Sequence, residues 1–161
     1  IMKVAEETGM SEEYVKENEQ KRDVLAAFNN GYYFENNNSD ELFIKESELI
    51  KKVGTKEACV IVGRCADYIL KNQKNCLSIF LYAPIETRIA EVSKRKNISL
   101  EKAKKDIHQN DKLRANNYQY YTHQIWGVSS NYNLCIDTSI GFNSVVEIII
   151  NTLNSMKYSK N

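Results

Sequence analysis

The chain has 161 residues, which is enough for one compact domain with a buried core. Its composition, 42% hydrophobic and 27% charged, is that of a globular protein and excludes an intrinsically disordered chain. The 22 basic and 21 acidic residues nearly cancel, which excludes a strongly basic surface for nucleic acid or membrane. No apolar run approaches the roughly 18 residues that span a bilayer, so we expect no membrane partner.

The four cysteines predict free thiols. Cys59, Cys65, Cys76 and Cys135 are widely spaced and form no C-x-x-C pair. Three of them lie in apolar runs typical of strands, so we expect buried thiols rather than disulfides or a zinc site. Free thiols suit a reducing compartment, which favours a cytoplasmic location.

The beginning of the chain is helical in pattern. Residues 3–9 are typical of the end of a helix closed by Gly9, and a second helix is predicted from Ser11. Because the chain begins with Ile1 rather than methionine and starts within a helical pattern, we expect that the natural start of the protein lies upstream. Residues 28–39 are rich in asparagine and have no periodicity, which predicts a loop or a place where residues are absent.

Helices and short apolar strands alternate over the rest of the chain. A helix capped at Ser39 or Asp40 comes first, with apolar positions at a period of 3.6. Continuous apolar runs at residues 59–62, 77–82 and 134–136 are typical of strands buried on both faces. Further helical patterns cover residues 66–71, 84–96, 99–122 and 142–156. This alternation predicts an α/β fold, a parallel sheet covered by helices on both sides.

The turn after the first predicted strand is a candidate anion site. It holds Gly63, Arg64 and Asp67. Glycine permits close backbone approach, and the planar fork of arginine suits phosphate or carboxylate. The same residues are also explained without a ligand, if Asp67 only stabilises the start of its own helix and Arg64 is a surface arginine. Ligands of open parallel sheets bind beyond the carboxyl ends of the strands, and this position favours the functional interpretation.

A second cluster of cations lies on the helix predicted after the second strand. Arg88 and Arg95 are seven residues apart, hence on one helical face, and Lys94 and Lys96 flank Arg95 at the end of the helix. Cations at a helix end complement its dipole, so a solvated face with no ligand is the simpler interpretation of this cluster taken alone.

The longest predicted helix carries a polar and aromatic stripe. Asp111, Arg114, Tyr118 and Tyr121 follow one another at offsets of three, four and three. Such a stripe can hydrogen-bond a base or ribose, hold a phosphate and stack on a base. An ion pair between neighbouring turns beside core aromatics is the alternative. The two histidines have no acidic or cysteine partners in the sequence, so no metal ligands are predicted.

Taken in order, these segments resemble the cytidylate kinase-like family, a branch of the nucleoside monophosphate kinases. The resemblance is carried by residues 60–70, 80–89, 107–127 and 132–139. It implies a P-loop NTPase-like, three-layer α/β/α fold with a parallel sheet, a single domain over residues 1–161 and a helical lid over about residues 94–118. It also implies transfer of the γ-phosphoryl of ATP, with Mg²⁺, to a pyrimidine nucleotide such as CMP or dCMP.

The resemblance implies roles for individual residues. Arg64 and Asp67 would contact the nucleoside monophosphate from the end of a strand. Asp111, Arg114 and Tyr118 would approach it from the long helix. The catalytic cations would be Lys94 and Arg95 in the lid, with Arg88 on its supporting helix.

Two departures from the family pattern shape the hypotheses. Cys65 and Ile107 stand where cytidylate kinases carry an acid and an arginine. The sequence also has no glycine-rich phosphate loop between a strand and a helix, so the residues that would bind ATP are not identified. We expect a kinase whose N-terminal strand and phosphate loop are missing from this chain. A catalytically silent nucleotide-binding module is the alternative. A single-strand nucleic-acid binder built on the ten tyrosines conflicts with the near-zero net charge.

Overall fold

The computed structural model describes residues 38–56 and 58–158 of the chain. It is a mixed structure of helices and a small parallel sheet, which confirms the α/β prediction at that level. The elements in chain order are α1 (Asn38–Lys56), α2 (Ala66–Ile69), β1 (Ile79–Tyr82), α3 (Ile85–Lys96), α4 (Leu100–Thr122), β2 (Leu134–Asp137) and α5 (Phe142–Tyr158). The two helical patterns before residue 28 and most of the predicted asparagine-rich loop lie outside the described residues.

The described residues divide into two compact units. The first comprises residues 38–56, 58–74 and 112–126. The second comprises residues 75–111 and 127–158. The boundary at residues 111 and 112 falls within α4, so the two halves of that helix are assigned to different units.

The first unit is built around α1. The apolar residues Leu42 and Ile50 are buried on one stripe of this helix, because positions four residues apart share a face. Near the start of α1, the ring of Phe43 stacks on that of Tyr121 with centroids 3.7 Å apart. The hydroxyl of Tyr121 also donates a hydrogen bond to Asp40 at 3.2 Å. These contacts fix α1 against the last turns of α4.

The second unit contains the sheet. β1 and β2 are parallel, with Ile79 opposite Leu134 and Tyr82 opposite Asp137. Asn133 closes one end of the pair by accepting hydrogen bonds from the backbone and the hydroxyl of Ser78, both at 2.9 Å. Two helices lie between the strands in sequence, as a parallel connection requires.

One predicted strand does not form. Residues 59–62 form neither a helix nor a strand and pair with no strand in the described part of the chain, and Val60 and Val62 are 92% and 87% exposed. The prediction of a strand buried on both faces was therefore wrong for this segment. An apolar run specifies a strand only where a neighbour receives its backbone hydrogen bonds, and none of the described strands does so.

The expected burial of the cysteines is also corrected. All four thiols are free, but only Cys65 is buried, whereas Cys59 and Cys135 are exposed. Cys59 belongs to the segment that forms no strand. Cys135 alternates along β2 with the buried Ile136, so the two side chains lie on opposite faces of the two-stranded sheet.

The remaining helical predictions are confirmed, with boundaries that shift by a few residues. The short helix α2 ends at Ile69, two residues before the end of the predicted pattern over residues 66–71. No helix within residues 38–56 and 58–158 has the length and apolar character needed to cross a membrane.

Candidate functional site

The turn that carries Arg64 has an unusual backbone. Gly63, Arg64 and Cys65 have φ angles of 74°, 57° and 52°, so three consecutive residues are left-handed. This conformation costs a residue with a side chain about 1 to 2 kcal/mol. The turn is held by α2, whose first backbone hydrogen bond runs from Ala66 N–H to the Gly63 carbonyl at 3.1 Å. Backbone strain at a residue with a charged side chain is a recurrent feature of ligand sites.

Arg64 lies beside a buried carboxylate. Its Nη1 atom is 3.6 Å from Oε1 of Glu46, and the two side chains are 26% and 8% exposed. The separation is an ion-pair distance but longer than a good hydrogen bond. Burial raises the pKa of Glu46 to about 7 and lowers the pKa of Arg64. Arg64 is thus a partly exposed guanidinium that lies beside a carboxyl whose ionised form is disfavoured by burial.

Asp67 is oriented by a tyrosine. The hydroxyl of Tyr118, a residue only 4% exposed, donates a hydrogen bond of 2.6 Å to Oδ2 of Asp67. The same hydroxyl lies 3.2 Å from Oε1 of Gln124. Bonds to a charged acceptor are among the stronger hydrogen bonds of proteins, and a buried tyrosine normally has such a partner. Asp67 is therefore held in place from α4.

The end of α4 places Gln124 beside this pair. The Thr122 hydroxyl donates to the Tyr118 carbonyl at 2.6 Å, and the Gln124 N–H donates to the Thr122 hydroxyl at 3.1 Å. His123 between them is left-handed, with φ of 56°. This ending turns the chain back so that Gln124 reaches the tyrosine six residues earlier.

In the second unit, Arg88 and Asp111 form a two-pronged ion pair. Nη1 and Nη2 of Arg88 donate to the two carboxylate oxygens of Asp111 at 2.7 and 2.8 Å. The hydrogen bonds to Asp111 raise the pKa of Arg88. A bidentate pair fixes orientation as well as charge, so Arg88 of α3 sets the direction of the Asp111 carboxylate on α4.

The end of α3 presents two exposed cations. The side chains of Lys94 and Arg95 make no hydrogen bond or ion pair to any residue that the structure describes. Lys96, next to them, is instead paired with Asp106 of α4 at 3.0 Å. The helix stops at Asn97, which is left-handed with φ of 53°. Lys94 and Arg95 are the members of this cluster that are available to an anion.

Over most of its length the sequence matches a known family, since the model of the cytidylate kinase-like family covers residues 1–140. The chain belongs to the cytidylate kinase-like family. A similar solved structure is the crystal structure of an uncharacterized protein from Eubacterium ventriosum, with 29% sequence identity and a TM-score of 0.68. The match covers 71% of this chain and 66% of that chain, so this chain spans less than two thirds of the solved chain's length. No curated protein matches.

Membership of the cytidylate kinase-like family confirms the resemblance, and the structure locates the predicted residues. The first unit brings Asp67 and Tyr118 into direct contact. It also holds Arg64 and the exposed Arg114. The second unit holds Arg88, Lys94, Arg95 and Asp111. Of these four, Arg88 and Asp111 are joined by hydrogen bonds of 2.7 and 2.8 Å. The role of each residue in binding or catalysis stays a prediction.

Sequence reasoning missed Glu46 and Gln124. Glu46 lies four residues from both Leu42 and Ile50, so it interrupts the apolar stripe of α1 with a charge. A carboxylate at a core position of an amphipathic helix was a visible signal, because such groups are buried only with a partner. Gln124 gave no such signal, since its position depends on how α4 ends.

The part of this cytidylate kinase-like chain that the structure describes gathers no cluster of metal-ligand side chains. Within the described ranges there is no group of three or more histidine, cysteine, aspartate or glutamate side chains that could hold a metal ion. The kinase-like family implies use of a nucleotide and a metal in general terms. Arginine and lysine side chains such as Arg64 in the first unit and Lys94 and Arg95 in the second have the charge that suits a phosphate group.

Proposed function

We propose that this chain carries the nucleoside monophosphate-binding part of a kinase that transfers the γ-phosphoryl of ATP to a pyrimidine nucleotide such as CMP or dCMP. The observation that carries the proposal is the strained left-handed turn at residues 63–65, which holds Arg64 and lies within the residues that match the family. Three residues after Arg64, the Asp67 carboxylate is fixed by its hydrogen bond from Tyr118. A partly exposed guanidinium can bind the phosphate of a nucleotide, and an oriented carboxylate nearby in sequence can accept a hydrogen bond from the ribose or the base of the same nucleotide.

In the first unit, four residues are assigned to the monophosphate. Arg64 would bind its phosphate through the planar fork of donors. Asp67 would accept hydrogen bonds from the nucleoside, and Tyr118 would keep that carboxylate in position. Arg114, exposed on α4, would supply a further positive charge.

In the second unit, the assigned residues act on the transferring group. Lys94 and Arg95 would stabilise the negative charge that spreads over the phosphoryl oxygens, because phosphoryl transfer depends mainly on positioning and cationic stabilisation. Arg88 would hold the Asp111 carboxylate in a fixed direction through its two hydrogen bonds. Mg²⁺ supplies neutralisation of the β- and γ-phosphate charges in such reactions, and none of the roles above involves a metal ligand from the described residues.

The proposal extends to the fold. We propose that β1 and β2 belong to a larger three-layer parallel sheet of the P-loop NTPase kind, within a single domain whose lid covers about residues 94–118. Parallel strands are usually buried on both faces, and Leu81 and Tyr82 of β1 are 51% and 48% exposed among the described residues. A small-molecule nucleotide, rather than nucleic acid or membrane, is the proposed partner, and the cytoplasm is the proposed location.

A calorimetric titration of the full-length protein with CMP, dCMP, UMP and AMP tests the proposal. Saturable binding of a pyrimidine monophosphate, followed by ADP formation when ATP and Mg²⁺ are added, supports the kinase. Binding without turnover favours a catalytically silent nucleotide-binding module. If none of the four monophosphates binds, the assignment of the Arg64 turn to a nucleotide is wrong.

A further inference from the structure

Glu46 is the one carboxylate placed inside the apolar stripe of α1. It lies between the buried Leu42 and Ile50, and its side chain is only 8% exposed. An ionised carboxylate is rarely buried in this way without a specific cationic partner, because its loss of hydration is costly. Glu48, two residues further along the same helix, is exposed and shows where an ordinary solvated carboxylate lies.

The cation next to Glu46 is Arg64. The Arg64 Nη1 and Glu46 Oε1 atoms are 3.6 Å apart, an ion-pair distance that is longer than a good hydrogen bond. The left-handed backbone at Gly63, Arg64 and Cys65 sets the point from which the Arg64 side chain leaves the chain. The Arg64 side chain is 26% exposed and so is partly accessible to solvent, whereas the Glu46 side chain is 8% exposed.

We propose that Glu46 is a positioning residue of the monophosphate site. It is a buried counter-ion of Arg64 in the free protein, and Arg64 exchanges this contact for the phosphate of the substrate when the nucleotide binds. The inference rests on the proposed function, since it needs a phosphate that Arg64 contacts. The loose 3.6 Å contact suits an exchange of partners, because a charged phosphate offers Arg64 shorter, two-pronged hydrogen bonds.

Such an exchange moves a proton. A phosphate beside Arg64 would place negative charge near Glu46, which disfavours the ionised form of this carboxyl. The pKa of Glu46, already raised by burial to about 7, then rises further, and the carboxylate takes up a proton from solvent. At pH 7 about half of the Glu46 side chains are ionised, so the uptake is at most about half a proton per nucleotide bound.

Other ionisable groups of the first unit are part of the same balance. Burial raises the pKa of Cys65 to about 12, helped by the charges of Asp67 and Glu46 and opposed by that of Arg64, so the thiol remains neutral throughout. Further charged or titratable groups of this unit lie in the turn, in α2 and in residues 112–122 of α4. They are Arg64, Cys65, Asp67, Tyr68, Lys112, Arg114, Tyr118, Tyr120 and Tyr121, with His123 just beyond α4.

Calorimetry of CMP binding at pH 7 in two buffers of different protonation enthalpy measures this proton directly. The proteins are the wild type, Glu46→Gln and the matched control Glu48→Gln, which removes the same charge from an exposed position of α1. We expect the wild type and Glu48→Gln to take up as much as about half a proton more than Glu46→Gln. Equal proton uptake by wild type and Glu46→Gln would overturn the inference while leaving the proposed function standing.

A pH series on the wild type covers the case in which Glu46→Gln fails to fold. Above pH 7 the phosphate of CMP is already largely a dianion, since its second pKa is about 6, so it contributes little further titration. We expect CMP affinity to fall by up to about tenfold per pH unit between pH 7 and pH 8.5, because binding requires a proton that becomes scarcer. A flat profile would contradict the exchange, and a complete lack of CMP binding would overturn both this inference and the proposed function.

Discussion

Replacing Glu46 by glutamine should stabilise the protein at neutral and alkaline pH. Burial raises the pKa of this carboxyl from 4.5 to about 7. A tenfold change in proton affinity is worth about 1.4 kcal/mol, so keeping Glu46 ionised above pH 7 costs the folded state about 3 kcal/mol. Glutamine has nearly the same shape and no charge, and it removes this cost.

The pH dependence has a definite sign. The folded-state pKa lies above the ordinary value, so the contribution of Glu46 to stability is fully present below about pH 4.5 and is lost as the pH rises through about 7. Wild type and Glu46→Gln should therefore have similar free energies of unfolding near pH 4.5. The gap in favour of the variant should widen up to about pH 7 and stay level above it.

Urea denaturation of both proteins from pH 4.5 to pH 8.5, followed by circular dichroism, measures this gap. Glu48→Gln is the control, and its free energy of unfolding should stay within about 0.5 kcal/mol of wild type because Glu48 is exposed. A Glu46→Gln variant that is less stable than wild type at pH 8 would refute the reasoning. It would mean that attraction to Arg64 outweighs the cost of burying the charge.

Three further changes test other parts of the structure. Arg114→Ala should weaken monophosphate binding by about 1.5 to 3 kcal/mol in calorimetry, the scale of a lost charged hydrogen bond, and unchanged affinity would remove Arg114 from the site. Tyr118→Phe should lower the free energy of unfolding by about 1 to 3 kcal/mol, because the bond to Asp67 is lost in a buried position; an equally stable variant would show that this bond contributes little. Gly127→Ala should lower the thermal midpoint, since φ is +80° and the new methyl group would lie 3.0 Å from the ring of Phe80; an unchanged midpoint would contradict this geometry.

Family membership and most helices could be predicted because their signals are local. Helices α3, α4 and α5 follow from apolar spacing, capping residues and the absence of proline within them, and these act over a few residues of chain. The ordered family segments likewise depend only on which residues follow one another. Arg64 and Asp67 could be singled out as candidates because they come directly after an apolar run.

The sequence could not show which apolar run finds a partner. Residues 59–62 and the β1 segment have similar composition, yet within the described residues β1 pairs, with Leu134–Asp137 as its parallel neighbour, and residues 59–62 do not. Strand formation depends on hydrogen bonds to a segment far away in sequence, and propensity carries no information about that segment. Cys59, which lies in the run that does not pair, is exposed.

The sequence by itself determined the class of the protein, its helices and the residue types available for phosphate binding. Only the tertiary structure decided how these groups are paired. It placed Arg64 beside Glu46, Tyr118 on Asp67 and Arg88 on Asp111, over separations of 18, 51 and 23 residues. Charges and hydroxyls select partners by distance and by loss of solvent, and both quantities exist only once the chain is folded.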